Sequence, residues 1–199
     1  MVSNRRRAPA DSEMRARLVA AAADIIREQG HGALTSRILA ERLSLKRQIL
    51  HYYFESMDEL LVLVVRSSAE RALAALKQMT AAEDPLRAIW DMSSDPQGAT
   101  LSLELAALAA RNPAVREEVR ESAERLRAEQ TRILVDHLAA RGLEPLLDPE
   151  FATFVMSALS QLLVQEDLVG ITATHAKVRE TVDRVLAAYA KTGKAQFFP

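Results

Sequence analysis

Residues 34–54 read LTSRILAERLSLKRQILHYYF. Thr35 can cap a helix, and Ile38, Leu39 and Leu43 then fall at the spacing of one buried face. Ala40 is small enough for two helices to approach closely. A short break follows, and a further helix is expected over about Leu45 to Tyr53 with Leu45 and Leu50 inward. Its outer face would carry Lys46, Arg47, Gln48, His51 and Tyr52. Two short helices, the second presenting cations, an amide and aromatic-polar groups, are the parts of a helix-turn-helix. The second helix of such a motif reaches base edges and phosphates in the major groove.

The flanking chain fits that reading. Leu18, Ala22, Ile25 and Ile26 mark one face of a helix expected over Asp11 to Gln29, and Gly30 and Gly32 stop it. Ser56 stands three residues ahead of Glu59, a capping box opening a long helix to about Gln78. Met1 to Ala10, with Arg5, Arg6, Arg7 and Pro9, reads as a flexible basic arm. Residues 1–52 hold ten Lys and Arg against five Asp and Glu, a net +5, whereas the remainder carries −6. A basic end on an acidic body points to a polyanionic partner at that end.

Beyond residue 80, Asp84-Pro85, Asn112-Pro113 and Asp148-Pro149 signal helix starts, because the polar side chain caps free N–H groups and proline suits the first turn. Asp95-Pro96 with Gly98 reads as a break between helices. A charged surface helix with the stripe Val115, Val119, Leu126, Ile133, Leu134 and Leu138 is expected to end at Gly142. In the next helix the apolar face is Phe151, Phe154, Val155, Ala158, Leu159, Leu162 and Leu163, with Met156 off it. The last carries Val178, Val182, Val185, Leu186 and Tyr189. No strand-like alternation occurs, so the fold class is all-α.

The 199 residues are 49% hydrophobic and 27% charged, enough to bury a core. The absence of cysteine excludes disulfides and thiol chemistry. Neither a membrane-length apolar run nor a signal-peptide pattern is evident, so a soluble cytoplasmic protein is expected. His31, His137 and His175 lack metal-ligand spacing, and no phosphate loop or nucleophile elbow appears. No metal, no cofactor and no enzymatic activity are expected.

Over about residues 15–65 the chain resembles the TetR family of transcription regulators. The resemblance rests on Ala20-Ala21-Ala22, Glu28-Gln29-Gly30, Leu34-Thr35, Leu39-Ala40-Glu41, Leu50, Tyr53-Phe54 and Ser56 through Leu61, with weaker echoes in Arg111-Asn112-Pro113. It departs from the family pattern at Ser44 (usually a turn Gly), Lys46 (usually a capping Ser or Thr), His51 (usually a phosphate-binding Tyr) and Met57 (usually a phosphate-binding Lys).

The resemblance implies a DNA-binding domain over residues 11–71 behind a basic arm at 1–10, a helical ligand-binding and dimerisation domain over 72–192, and a tail at 193–199. It implies a homodimer on a pseudo-palindromic double-stranded operator, acting as a repressor released by a small-molecule effector. Candidate DNA-binding residues are Arg5, Arg6, Arg7, Thr35, Ser36, Arg37, Lys46, Arg47, Gln48, His51 and Tyr52. Candidate pocket residues are Trp90, Met92, Glu104, Leu105, Phe151, Phe154, Met156, Ser157 and Gln161. Candidate dimer contacts are Phe151, Val155, Leu159, Leu162, Val182, Val185 and Tyr189. Two other readings keep the same helices: an adaptor that has lost DNA binding, motivated by His51 and Met57, and a bundle enzyme using Glu104 with a histidine.

Overall fold

A computed structural model describes residues 9–79, 84–145 and 147–192, and all secondary structure among them is helical. The helices are α1 (Pro9–Gln29), α2 (Ser36–Arg42), α3 (Gln48–Tyr53), α4 (Met57–Met79), α5 (Pro85–Ser93), α6 (Pro96–Ala109), α7 (Pro113–Ala140), α8 (Pro149–Leu168) and α9 (His175–Thr192), with a 3₁₀ turn at His31–Ala33. None is long and apolar enough to cross a membrane. Helix α1 begins at Pro9, two residues before its expected start, because proline's fixed φ suits the first turn.

The caps set the boundaries. Thr35 Oγ1 accepts from the Ile38 N–H at 3.2 Å, Asp84 from Arg87 at 3.0 Å and Asp148 from Phe151 at 3.0 Å. Asp95-Pro96 is a capped helix start rather than only a break. Asp95 Oδ2 accepts the Gly98 N–H at 2.7 Å, so Gly98 lies inside the first turn of α6.

Three helices close on the same C-terminal hydrogen bond, in which an amide reaches back five residues to a helix carbonyl: Leu45 to Ala40, Leu143 to Leu138 and Ile171 to Glu166. The motif needs a left-handed residue just before that amide. Gly142 (φ 61°) and Gly170 (φ 79°) supply it without strain, whereas Ser44 (φ 54°) adopts it with a Cβ.

The chain forms two compact units. The first comprises residues up to Ser68 together with Leu101–Arg120. Its core joins Leu18, Ile25 and Ile26 of α1, Leu39 of α2, Leu50 of α3 and Leu60 and Val64 of α4 with Leu101 and Leu105 of α6 and Val115 of α7. Each such fully buried side chain stabilises the fold by roughly 1.5–3 kcal/mol relative to exposure. The buried Glu118 carboxylate is neutralised by Arg66, which reaches both its oxygens.

The second unit comprises Ala69–Thr100 and the chain from Glu121 onward. Helix α5 lies against α8. The main cluster there is Leu86 and Trp90, Leu134 and Leu138, Ala152, Met156 and Leu163, and Val182, Leu186 and Tyr189. Leu76, Ile89 and Ile133 form a smaller one.

The inward face of α8 differs from the one expected. Ala152, Thr153, Met156, Ser160, Leu163 and Val164 are buried, while Phe151, Phe154, Val155 and Leu162 are exposed. Small and hydroxyl residues can face the core because Thr153 and Ser160 donate to carbonyls of the preceding turn at 3.0 Å, which satisfies their polar groups.

Candidate nucleic-acid interface

Helices α2 and α3 are set by Leu39, Leu50, Tyr53 and Phe54, which plug the core of the first unit. Helix α3 starts at Gln48 rather than Leu45. Arg47 offers no side-chain cap, and the chain enters through tight bonds from Ile49 and Leu50 to the carbonyls of Lys46 and Arg47. Lys46, Arg47, Gln48, His51 and Tyr52 all project into solvent, on the outer face expected of them.

The electrostatics of this face set it apart. Most other cations nearby are neutralised: Arg15 by Glu59, Arg27 by Asp24, Arg37 by Glu41 and Arg42 by Glu28. Among the described residues, Lys46 and Arg47 have no carboxylate partner. Instead Arg47 Nε donates to Ser36 Oγ at 2.9 Å, a neutral bond that orients the guanidinium without cancelling its charge. Tyr52 stands edge-on to Tyr53 and donates to Asp11 at 3.3 Å. Of the other candidates, Thr35 is spent on the helix cap and Arg37 on Glu41, while Arg5, Arg6 and Arg7 lie outside the described residues.

Some supporting residues had no signal in the sequence. Arg15 stacks over Phe54 at 5.3 Å and pairs with Glu59, tying α1 to the end of α3 and the start of α4. Glu59 also accepts the Glu55 N–H at 2.7 Å, so the return arm of the capping box lands one residue ahead of Ser56. Met57, where a lysine is usual in the family, packs against the core instead of facing solvent as a cation.

Glu104, expected to face a pocket, lies in the first unit. Its Oε2 accepts the His31 backbone N–H at 2.8 Å and lies 2.6 Å from His31 Nδ1. The backbone bond from His31, with help from the ring, holds its carboxyl below the usual range. Leu105 is in the core of the same unit. Trp90 and Met156 share the main cluster of the second unit, and Met92 packs on the smaller one. Phe151, Phe154 and Gln161 point outward, Phe154 beneath Arg127 at 5.1 Å. Ser157 Oγ is buried without a hydrogen-bond partner, as is the Tyr189 hydroxyl.

The candidate dimer contacts also divide. Phe151 and Leu162 are 55% and 49% exposed, and Val155 is exposed as well. Leu159 and Val185 are half-buried against their own cluster. Val182 and Tyr189 are buried inside the chain, because α9 uses that face to seal the second unit, and so do not present an outer surface.

Residues 18–64 match the family model of bacterial regulatory proteins, tetR family. Over these residues the chain is similar to the tetR family. No curated protein matches the chain, but solved structures share its fold along most of its length. A TetR transcription regulator from Haloarcula marismortui superposes with TM-score 0.71 at 19% identity, covering 89% of this chain and 98% of that one. GusR from Salmonella enterica gives 0.70 at 19%, covering 94% and 100%. A transcriptional regulator from Saccharomonospora viridis in complex with choline gives 0.72 at 17%, covering 86% and 96%. The chain thus shares the all-α fold of these structures.

Proposed function

We propose that the protein is a sequence-specific DNA-binding transcription regulator that works as a homodimer and represses until a small molecule releases it. The observation that carries the reading is the outer face at the start of α3, where Lys46 and Arg47, just ahead of its first residue Gln48, stand without a carboxylate partner among the described residues beside His51 and Tyr52 on a tetR-type helix-turn-helix. Cations without carboxylate partners are free to displace counterions from phosphate, and an oriented Arg is suited to two acceptors on guanine. The partner is a double-stranded operator, with Arg5, Arg6 and Arg7 as an accessory arm.

Repression and release follow from two-fold geometry. Two recognition helices must match two half-sites, and an effector favouring another separation weakens binding. The outward apolar residues of α8 are the proposed dimer surface. The effector would enter the second unit near Trp90 and Met156, where Ser157 and Tyr189 hold hydroxyls with bonding capacity to spare. The choline complex of the Saccharomonospora regulator supports a small organic ligand, and an aromatic face such as Trp90 suits an organic cation.

Fluorescence anisotropy with DNA upstream of the encoding gene tests the reading. Saturable binding that exceeds a scrambled duplex by at least about 1,000-fold is expected. Equal affinity for both duplexes at every salt concentration would refute it.

A further inference from the structure

Arg47 immediately precedes α3, and its backbone is fixed there: its carbonyl accepts the Leu50 N–H at 3.2 Å, and that of Lys46 accepts Ile49 at 3.0 Å. Its side chain reaches back eleven residues to α2, where Nε donates to Ser36 Oγ at 2.9 Å. Ser36 is itself pinned, because it opens α2 directly after Thr35, whose Oγ1 and carbonyl accept from Ile38 and Leu39. Leu39 and Leu50 then bury the inner sides of both helices in one core. Both ends of the Ser36–Arg47 bond therefore stand on backbone that the fold holds in place.

A guanidinium has two edges that can each meet a pair of acceptors: Nε with one terminal nitrogen, or the two terminal nitrogens together. Ser36 takes the Nε–H and so occupies the first edge. Arg42 of α2 shows what the second edge does, since its Nη1 and Nη2 reach the two oxygens of Glu28 at 3.3 and 2.6 Å. On Arg47, which is exposed, no described carboxylate takes that edge. In the major groove, O6 and N7 of guanine are the paired acceptors that such a fork matches.

We infer that Ser36 is a specificity-determining residue of the recognition face: by holding Nε it aims the Nη1–Nη2 edge of Arg47 as a preset fork for one guanine in each half-site. The inference rests on the proposed reading of DNA by α3. Without the hydroxyl, Arg47 keeps its charge but swings among rotamers, so it still attracts phosphate while the fork must be ordered at the moment of contact. A carboxylate at position 36 would spend the charge that draws Arg47 to DNA, and an alanine would leave the Nε–H unaimed. Ser36 thus acts through Arg47, and its signature is discrimination between bases.

Selection of bound duplexes from a random pool by the full chain should return a site with one guanine per half-site that Arg47→Ala no longer requires. Replacing that guanine with adenine should cost the wild-type protein roughly 5- to 150-fold in affinity. In Ser36→Ala the penalty should shrink by roughly 2- to 12-fold, the cost of immobilising one long side chain. Ser36→Thr, which keeps the hydroxyl, should restore the wild-type ratio. A merely structural loss at the start of α2 would weaken all duplexes alike and leave the ratio standing. A Ser36→Ala ratio equal to that of the wild type would overturn the inference. So would a wild-type protein that tolerates 7-deazaguanine, which lacks the N7 acceptor, a measurement that needs no variant at position 36. If the wild-type chain enriches no sequence, the DNA reading falls and this inference with it, whereas an enriched site indifferent to Ser36 leaves that reading intact.

Discussion

The outer faces of α3 and α8 are both unmatched surface, in opposite currencies. At the start of α3 the excess is charge: among the described residues, Lys46 and Arg47 lack carboxylates like those that neutralise Arg15, Arg27, Arg37 and Arg42. On α8 it is apolar area: Phe151, Phe154, Val155 and Leu162 face outward while Ala152, Thr153 and Ser160 face in. An exposed cation costs little in water, so α3 can wait for a partner indefinitely. Clustered exposed aromatics and leucines favour association even without one. On the function proposed above, the difference would make pairing through α8 permanent and binding at α3 reversible and salt-dependent.

The largest expected effect comes from breaking the α8 side. Leu162→Glu places a carboxylate on the proposed two-fold surface, where desolvation costs several kcal/mol and symmetry applies it twice. Light scattering should give half the mass with helical circular dichroism retained, and operator binding should fall with it. A variant that stays dimeric would move the interface off this face. The analogous Leu159→Glu is less clean, since Leu159 also packs on its own cluster.

On the α3 side, Arg47→Ala should weaken operator binding by about 1–3 kcal/mol if its contact is bidentate to a base, with little change in mass or melting temperature. Lys46→Ala should instead lower the slope of log K against log salt by about 0.9 per subunit. Equal effects of both variants on operator and random DNA would leave no base-reading role for Arg47.

Smaller again is Glu104→Gln, which keeps an acceptor for the His31 amide but removes the charge. Because the folded carboxyl titrates below its usual value, its contribution is present above the ordinary glutamate range and is lost as pH falls. Hydrogen bonds to a half-exposed charge suggest about 1 kcal/mol. Wild type should therefore lose stability faster than the variant between pH 5 and pH 3 in urea titrations, values chosen to span the glutamate range. Parallel curves would remove the tie. The smallest expected effect is a gain: Ser44→Gly relieves a left-handed serine and should raise stability by up to about 1 kcal/mol, read from the urea midpoint.

Much of the fold was legible because helix ends announce themselves locally. Thr35, Asp84 and Asp148 sit next to the amides they cap, and the α3 face follows from spacing alone. The orientation of α8 was not legible: periodicity finds where large apolar residues gather but cannot say that Thr153 and Ser160 satisfy themselves and turn inward. The partners of Glu104 and His175 were not legible for a different reason. The partner of Glu104 is 73 residues away, and each carboxylate beside His175 falls outside the i+3 and i+4 positions at which a helical neighbour would be sought.

The first unit is a discontinuous piece of chain, since its core is completed by Leu101, Leu105 and Val115 from beyond residue 100. A ribosome emitting this protein releases all of α1 to α3 before the residues that seal them exist. The recognition helix must therefore wait, with one side of its support unbuilt, until the stretch Ala69–Thr100 of the other unit has been made. Closing so long a loop carries an entropic cost that grows only slowly with its length. Fragments ending near residue 70 would keep the reading surface but lose part of its foundation, and DNA-binding competence is expected to mature only after α7 has begun to emerge.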